Sequence, residues 1–180
     1  MKKLLSIICL LLITGLTTAQ HLYIGGQAAY TKSQDATEGA IMPAGAVRID
    51  LSGLKLEGSI GYKAEEYSGG YGSAKIKATS YPFLATAFIS VLPFAHLEGG
   101  IGWYNTKIEY SGFPASIPSE TVSSIGYHAG AGIEIPLGSL LLTGDIRYVI
   151  EKTKLANTQN VSELKSDFYM IVVGLMFKVL

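Results

Sequence analysis

Leu140-Leu-Leu-Thr-Gly-Asp-Ile-Arg-Tyr148 carries two messages in one strand length. Leu140, Leu142, Gly144, Ile146 and Tyr148 fall on one face, while Thr143, Asp145 and Arg147 fall on the other. Strict alternation is the mark of a β-strand with unlike surroundings on its two sides. The pattern recurs along the chain. Leu22–Tyr30, Leu54–Tyr62, Ala95–Trp103, Tyr127–Ile135 and Tyr169–Phe177 repeat it, with polar or glycine residues between the apolar ones. Ile41–Ile49 and Tyr81–Ile89 follow less cleanly. In the first, Pro43 and Gly45 weaken the run; in the second, Leu84 and Phe88 would face away from the apolar set and Pro82 would suit a bulge. That makes eight strands.

Connection lengths alternate as well. Short turns fall near Asp50–Gly53, Val91–Phe94 and Pro136–Ser139, and long polar or glycine-rich stretches cover Thr31–Ala40, Lys63–Ser80, Tyr104–Gly126 and Val149–Phe168, partly as strand extensions. An even count with alternating short and long connections is the layout of an eight-stranded antiparallel up-and-down transmembrane β-barrel, short turns in the periplasm and long loops outside. Tyr30, Tyr62, Trp103, Tyr127, Tyr148 and Tyr169 all lie on the apolar face at the long-loop end of their strands, and Tyr81 joins them if its phase holds. Rings with an apolar body and a polar tip collect at a membrane interface. A soluble, lipocalin-like barrel would instead turn the apolar face inward and has no use for aromatics at one end.

Composition agrees. Charged residues make up 16% of the 180, while glycine reaches 21 and tyrosine 11, and soluble domains carry about 25% charge. With 14 basic against 14 acidic residues the chain offers no basic footprint for nucleic acid. A single Cys excludes a disulfide framework or a multi-cysteine zinc site. Met1-Lys2-Lys3, the apolar run Leu4–Leu16 and Thr17-Thr18-Ala19 have the three parts of a secretory signal peptide. The domain reading is therefore 1–19 signal peptide, cleaved after Ala19, and 20–180 barrel. Cys9 leaves with the signal.

Apolar residues against lipid enclose the charges. Arg48, Asp50, Lys55, Glu57, Glu98, Glu134, Asp145, Arg147 and Lys178 are then expected as a paired interior network, with Lys63, Glu65 and Glu151 facing the same way. Eight strands leave room for side chains only, so a filled polar interior is expected rather than a pore, with a narrow pore as the alternative. Gly100, Gly102, Gly130 and Gly132 make room for the long side chains, and their place inside strands excludes a phosphate-loop reading of Gly126–Gly132.

Ala131-Gly-Ile-Glu-Ile-Pro136 followed by Leu140–Tyr148 resembles the strand 6–turn–strand 7 hairpin of the OmpA/OmpX-like eight-stranded outer-membrane proteins. The resemblance implies a role in envelope integrity, adhesion or surface interaction, without enzymatic activity and without a cofactor or metal. It also implies an outer-membrane location, with outer-membrane lipids, periplasmic chaperones and the barrel-insertion machinery as partners. No peptidoglycan-binding domain is expected after the barrel. The family usually ends on an aromatic, whereas here Phe177 is followed by Lys178-Val179-Leu180, so recognition by the insertion machinery would rest on Phe177.

Two other readings have residues to stand on. A lipid-modifying outer-membrane enzyme needs a nucleophile, a base and an orienting group within reach of one another. Of His21, His96 and His128 the last is best placed, but the position two residues on, where lipid A deacylases carry serine, is Gly130. An accessory subunit of a secretion or uptake complex would act through an extracellular partner of the loops, where Tyr67–Gly72, Tyr110–Pro118 and Lys152–Lys165 offer Tyr, Phe and Pro.

Overall fold

The structure is a computed structural model and describes residues 21–34, 36–68, 75–112, 118–153, 164–165 and 167–180. The signal peptide and the central parts of three long connections lie outside the described residues, as do the loop aromatics Tyr71 and Phe113. Strands run β1 His21–Ser33, β2 Ala40–Asp50, β3 Leu54–Gly61, β4 Lys63–Ser68, β5 Lys75–Leu92, β6 Ala95–Ser111, β7 Glu120–Leu137, β8 Leu140–Thr153, β9 Leu164–Lys165 and β10 Phe168–Lys178. β3 and β4 are one strand interrupted at Tyr62, and β9 is a short outer continuation of β10 along β8. Neighbours pair antiparallel in chain order and β10 closes onto β1, so the described residues form a closed eight-stranded barrel.

Opposed residues trace the stagger. From Leu22 the ladder leads through Ile49, Leu56, Ala87, Gly99, Ala129, Tyr148 and Tyr169 back to Lys32 on the first strand, ten residues on from the start. With about 4.8 Å between strands and about 3.3 Å per residue, this stagger tilts the strands by about 40° and gives a radius of about 8 Å.

Spread over eight strands, the same stagger brings Tyr30, Tyr62, Tyr81, Trp103, Tyr127, Tyr148 and Tyr169 within about 6 Å of one level along the axis. They form a belt. Neighbours in it touch: Tyr62 and Tyr81 have ring centroids 5.5 Å apart, Tyr148 and Tyr169 4.9 Å. Outward residues below the belt, among them Ile60, Ile133, Ile146, Val173 and Phe177, are large, apolar and exposed. The apolar wall runs about 20 Å down to Leu22, Leu54, Ile135 and Phe177, close to the ~25 Å band of membrane barrels.

Tyr81, Phe83 and Ile89 point out and Leu84 and Phe88 point in; Ile41 and Val47 point out and Arg48 in. Pro82 marks no bulge in the β5–β6 ladder, where it sits opposite Tyr104; the shift falls at Ser90–Leu92. Its effect appears on the other side. Lacking an N–H, Pro82 leaves the ladder broken between Ile60↔Phe83 and Lys63↔Ser80. On its other side Tyr62 continues the ladder with β2, donating its N–H to the Pro43 carbonyl at 3.0 Å.

The strand extensions expected within the long stretches take up much of them. β5 begins at Lys75, β6 runs to Ser111 and β7 starts at Glu120. Alternating Lys75-Ile-Lys-Ala-Thr-Ser80 pairs with β4 on one side and β6 on the other, so a three- to four-stranded ribbon stands about 15 Å above the belt.

Candidate functional site: the barrel interior

Interior positions come in three storeys, set by which residues the stagger brings to one height. The lowest, toward the periplasm, is ionic. Arg48 on β2 donates from Nε and Nη2 to Glu57 Oε2 at 2.9 and 2.6 Å, and from Nη1 to Glu134 Oε1. Lys55 completes the pair with Glu134. Arg147 on β8 donates from Nε to Glu98 Oε1 at 2.8 Å and lies 3.4 Å from Asp145 Oδ2. Gln27 donates to Glu57 Oε1 at 3.0 Å, and Arg147 Nη2 lies 3.9 Å from the same oxygen, joining the two halves. Both arginines are essentially inaccessible, at 0% and 1% exposure, and buried ions hold only when paired and hydrogen-bonded throughout.

Glycines let these chains meet. His96 on β6, Gly132 on β7 and Asp145 on β8 form one row across the sheet, and Glu98, Gly130 and Arg147 form the next. A Cβ at Gly132 would stand 2.2 Å from Asp145 Oδ1, and one at Gly130 would stand 2.3 Å from the Ile146 carbonyl and 2.8 Å from Glu98 Oε1. Side chains from β6 and β8 reach each other because β7 has none in the way.

Phe88 fills the centre. The Arg48 guanidinium carbon lies 4.1 Å from its centroid, Arg147 lies 5.9 Å away, and the His96 ring meets it edge-on at 5.0 Å. Met176, Leu141 and Ala46, with Tyr23 beside them, form an apolar floor.

The middle storey is apolar. Ala29, Met42, Leu84, Tyr104, Val149, Phe168, Met170 and Val172 pack together, so the expectation of a polar interior throughout is corrected here. Ala29 and Val149 have polar inward neighbours one step up and down, whereas Phe168, Met170 and Val172 follow one another along the inward face of β10. The stagger gathers the apolar ones at one height. His128 borders this storey with Nε2 3.0 Å from Thr86 Oγ1; it is buried and faces the lumen, away from the outer wall.

Above lies a second polar layer. Lys63 pairs with Glu65 at 3.1 Å and stands 4.0 Å over the Phe168 ring. Ser33 and Tyr67 donate to the same Glu65 oxygen at 2.6 and 2.8 Å. Glu151 accepts from Ser124 at 2.6 Å.

Two residues expected in the network are elsewhere. Lys178 is exposed at the periplasmic rim with Nζ 3.5 Å from His21 Nε2, because it lies beyond the apolar floor. Asp50 is half-buried and accepts the Ser52 backbone N–H at 3.2 Å in the β2–β3 turn, where Ser52 holds a positive φ of 61°. The sequence reading missed Gln27, Phe88 and the His96–Asp145 contact, which is 2.8 Å long. A pattern of faces places all of them inside but cannot pair residues 49 positions apart.

No protein family model matches the chain, and no curated protein sequence matches it. Solved structures do. A major outer membrane protein of Thermus thermophilus superposes with a TM-score of 0.62 at 12% identity over 88% of this chain and 98% of that one. The Yersinia pestis attachment invasion locus protein Ail gives 0.55 at 14% identity, covering 88% and 96%. Neisserial surface protein A gives 0.53 at 13%, covering 87% and 95%. At these identities the likeness is one of fold: this chain has the fold of the eight-stranded outer-membrane β-barrels.

Proposed function

We propose that the chain resides in an outer membrane as a sealed, non-catalytic barrel and acts through the ribbon that β4–β7 raise above the belt, in adhesion, surface interaction or envelope integrity. The observation that carries the reading is the inversion of the barrel. Large apolar side chains cover the outside below a one-level aromatic belt, while Arg48, Glu57, Glu98, Asp145 and Arg147 are enclosed. In water such a wall would aggregate, since soluble monomers rarely expose contiguous apolar patches beyond a few hundred Å²; in hydrocarbon it is stable.

Among the described residues three storeys of packed side chains occupy the lumen, which favours a surface role over conduction. The attachment named for the Yersinia pestis neighbour supports the adhesive form of the reading. Outer-membrane lipids are the partners of the wall, and periplasmic chaperones and the insertion machinery act through the last strand, with Phe177 as its outward aromatic. Two measurements test this. A deletion strain scored for adhesion and envelope permeability should change in at least one, and refolded barrel in planar bilayers should pass no large, stable current. A deletion silent in both, or steady openings, would reject the surface role or the seal respectively.

A further inference from the structure

We propose that His96, Glu98 and Asp145 form a binding site for one first-row divalent cation inside the barrel wall. This inference stands apart from the surface role and departs from the sequence reading, which expected no metal. One ligand atom from each of the three lies within 4.8 Å of the others, and all three residues are buried. Each carboxylate has one oxygen engaged by Arg147 and turns the other away from it. Arg147 occupies Glu98 Oε1 and Asp145 Oδ2. Asp145 Oδ1 faces His96 Nε2 at 2.8 Å, and Glu98 Oε2 is buried without a hydrogen-bond partner. An orphaned carboxylate oxygen in a closed interior is costly, and a cation between it and the His96–Asp145 pair removes that cost.

The surroundings suit a metal. His96 would bind through Nε2 as its Nδ1–H tautomer, and Nδ1 lies 3.7 Å from Glu134 Oε1. At that distance the two make no hydrogen bond, but the nearby negative charge favours the N–H on Nδ1. Gly132 lets the two ligands meet, since a Cβ there would stand 2.2 Å from Asp145 Oδ1 and 2.8 Å from His96 Nε2 and push them apart. Charge permits it: Arg48, Lys55 and Arg147 face four carboxylates, Glu57, Glu98, Glu134 and Asp145, leaving a deficit of one positive charge. One imidazole and two carboxylates, with water completing the sphere, match zinc and its neighbours better than calcium or a soft ion. Entry is from the periplasm, past Lys55 and Glu134, whose side chains keep 14% and 9% exposure.

The test uses tag-free mature barrel refolded in detergent and titrated with Zn²⁺ by calorimetry. One ion per barrel should bind, and H96Q, whose amide can still donate to Asp145, should weaken binding by about 100-fold or more. Glu98→Gln should do the same. If H96Q does not fold, the wild-type barrel still decides: Zn²⁺ should shift the His96 ring nitrogens in ¹⁵N NMR and leave those of His21 and His128 in place. No binding at millimolar Zn²⁺, equal binding by H96Q, or ring shifts confined to His21 or His128 would each overturn the site and leave His96 as an ion-pair partner of Asp145.

Discussion

The Arg48 guanidinium lies flat enough over Phe88 to put its central carbon 4.1 Å from the ring centroid, while its N–H groups are taken by Glu57 and Glu134. Phe88 therefore does two jobs: it fills the middle of an ionic storey and gives two arginines a polarisable face to rest on. Phe88→Ala should destabilise the barrel by about 3–5 kcal/mol, from lost burial and the cavity left behind, and Phe88→Leu by clearly less. Urea unfolding in lipid vesicles measures both. Equal, small losses would mean the ring is a passive filler.

Arg147 holds Glu98 and Asp145 at once. Arg147→Met leaves two carboxylates buried and uncompensated, and should cost about 3–5 kcal/mol. Adding Glu98→Gln should restore part of the loss, because the two residues share one network and their effects do not add. A double-mutant cycle reads this directly, and strict additivity would show that the contact carries no coupling.

How these residues come together explains what the sequence could reveal. Faces were legible because lipid and lumen are such different solvents: Tyr148 out, Arg147 in, Ile146 out requires no partner to interpret. The belt was legible too, since position along a strand is a local property. Pairing was not. His96 meets Asp145 only because Gly132 lies between them, and that row depends on a ten-residue stagger summed over the whole ring. The apolar middle storey was hidden for the same reason. Leu84 beside Thr86 and Tyr104 beside Thr106 each look like isolated exceptions until the stagger lifts them to one height. One signal was available: Phe168-Tyr-Met-Ile-Val-Val173 is apolar on both faces, which says that the lumen beside β10 is apolar as well.

Acid should loosen the outer end first. Burial alone would raise the Glu65 carboxyl, but Lys63 beside it and hydrogen bonds from Ser33 and Tyr67 outweigh burial and hold it below the usual carboxylate value. A carboxyl lowered on folding stabilises the folded state above its ordinary pKa, and that contribution disappears as pH falls through the folded value. Stability should therefore be flat near neutrality and decline below about pH 5, with a shallower decline in Glu65→Gln. Unfolding free energies measured from pH 7 to pH 3 test it; superimposable slopes for the two proteins would remove Glu65 from the account.

Which side of the sheet meets hydrocarbon is open to a single-residue test at Val173. Its side chain points outward from β10 and is 56% exposed, and its height lies near the middle of the apolar wall, well below Tyr169 on the same strand. An arginine there must cross the bilayer midplane or drag water to it, at a cost of about 2–4 kcal/mol in transmembrane barrels. Thr79, above the belt on β5 and opposite Lys107, is half-buried on the outward face, where arginine should cost less than about 0.5 kcal/mol. Reversible folding of Val173→Arg and Thr79→Arg into vesicles compares the two. A large difference in that order places the apolar wall in the membrane. Equal, negligible effects are what a wall facing water would give, because an exposed valine on a soluble barrel has no reason to resist arginine.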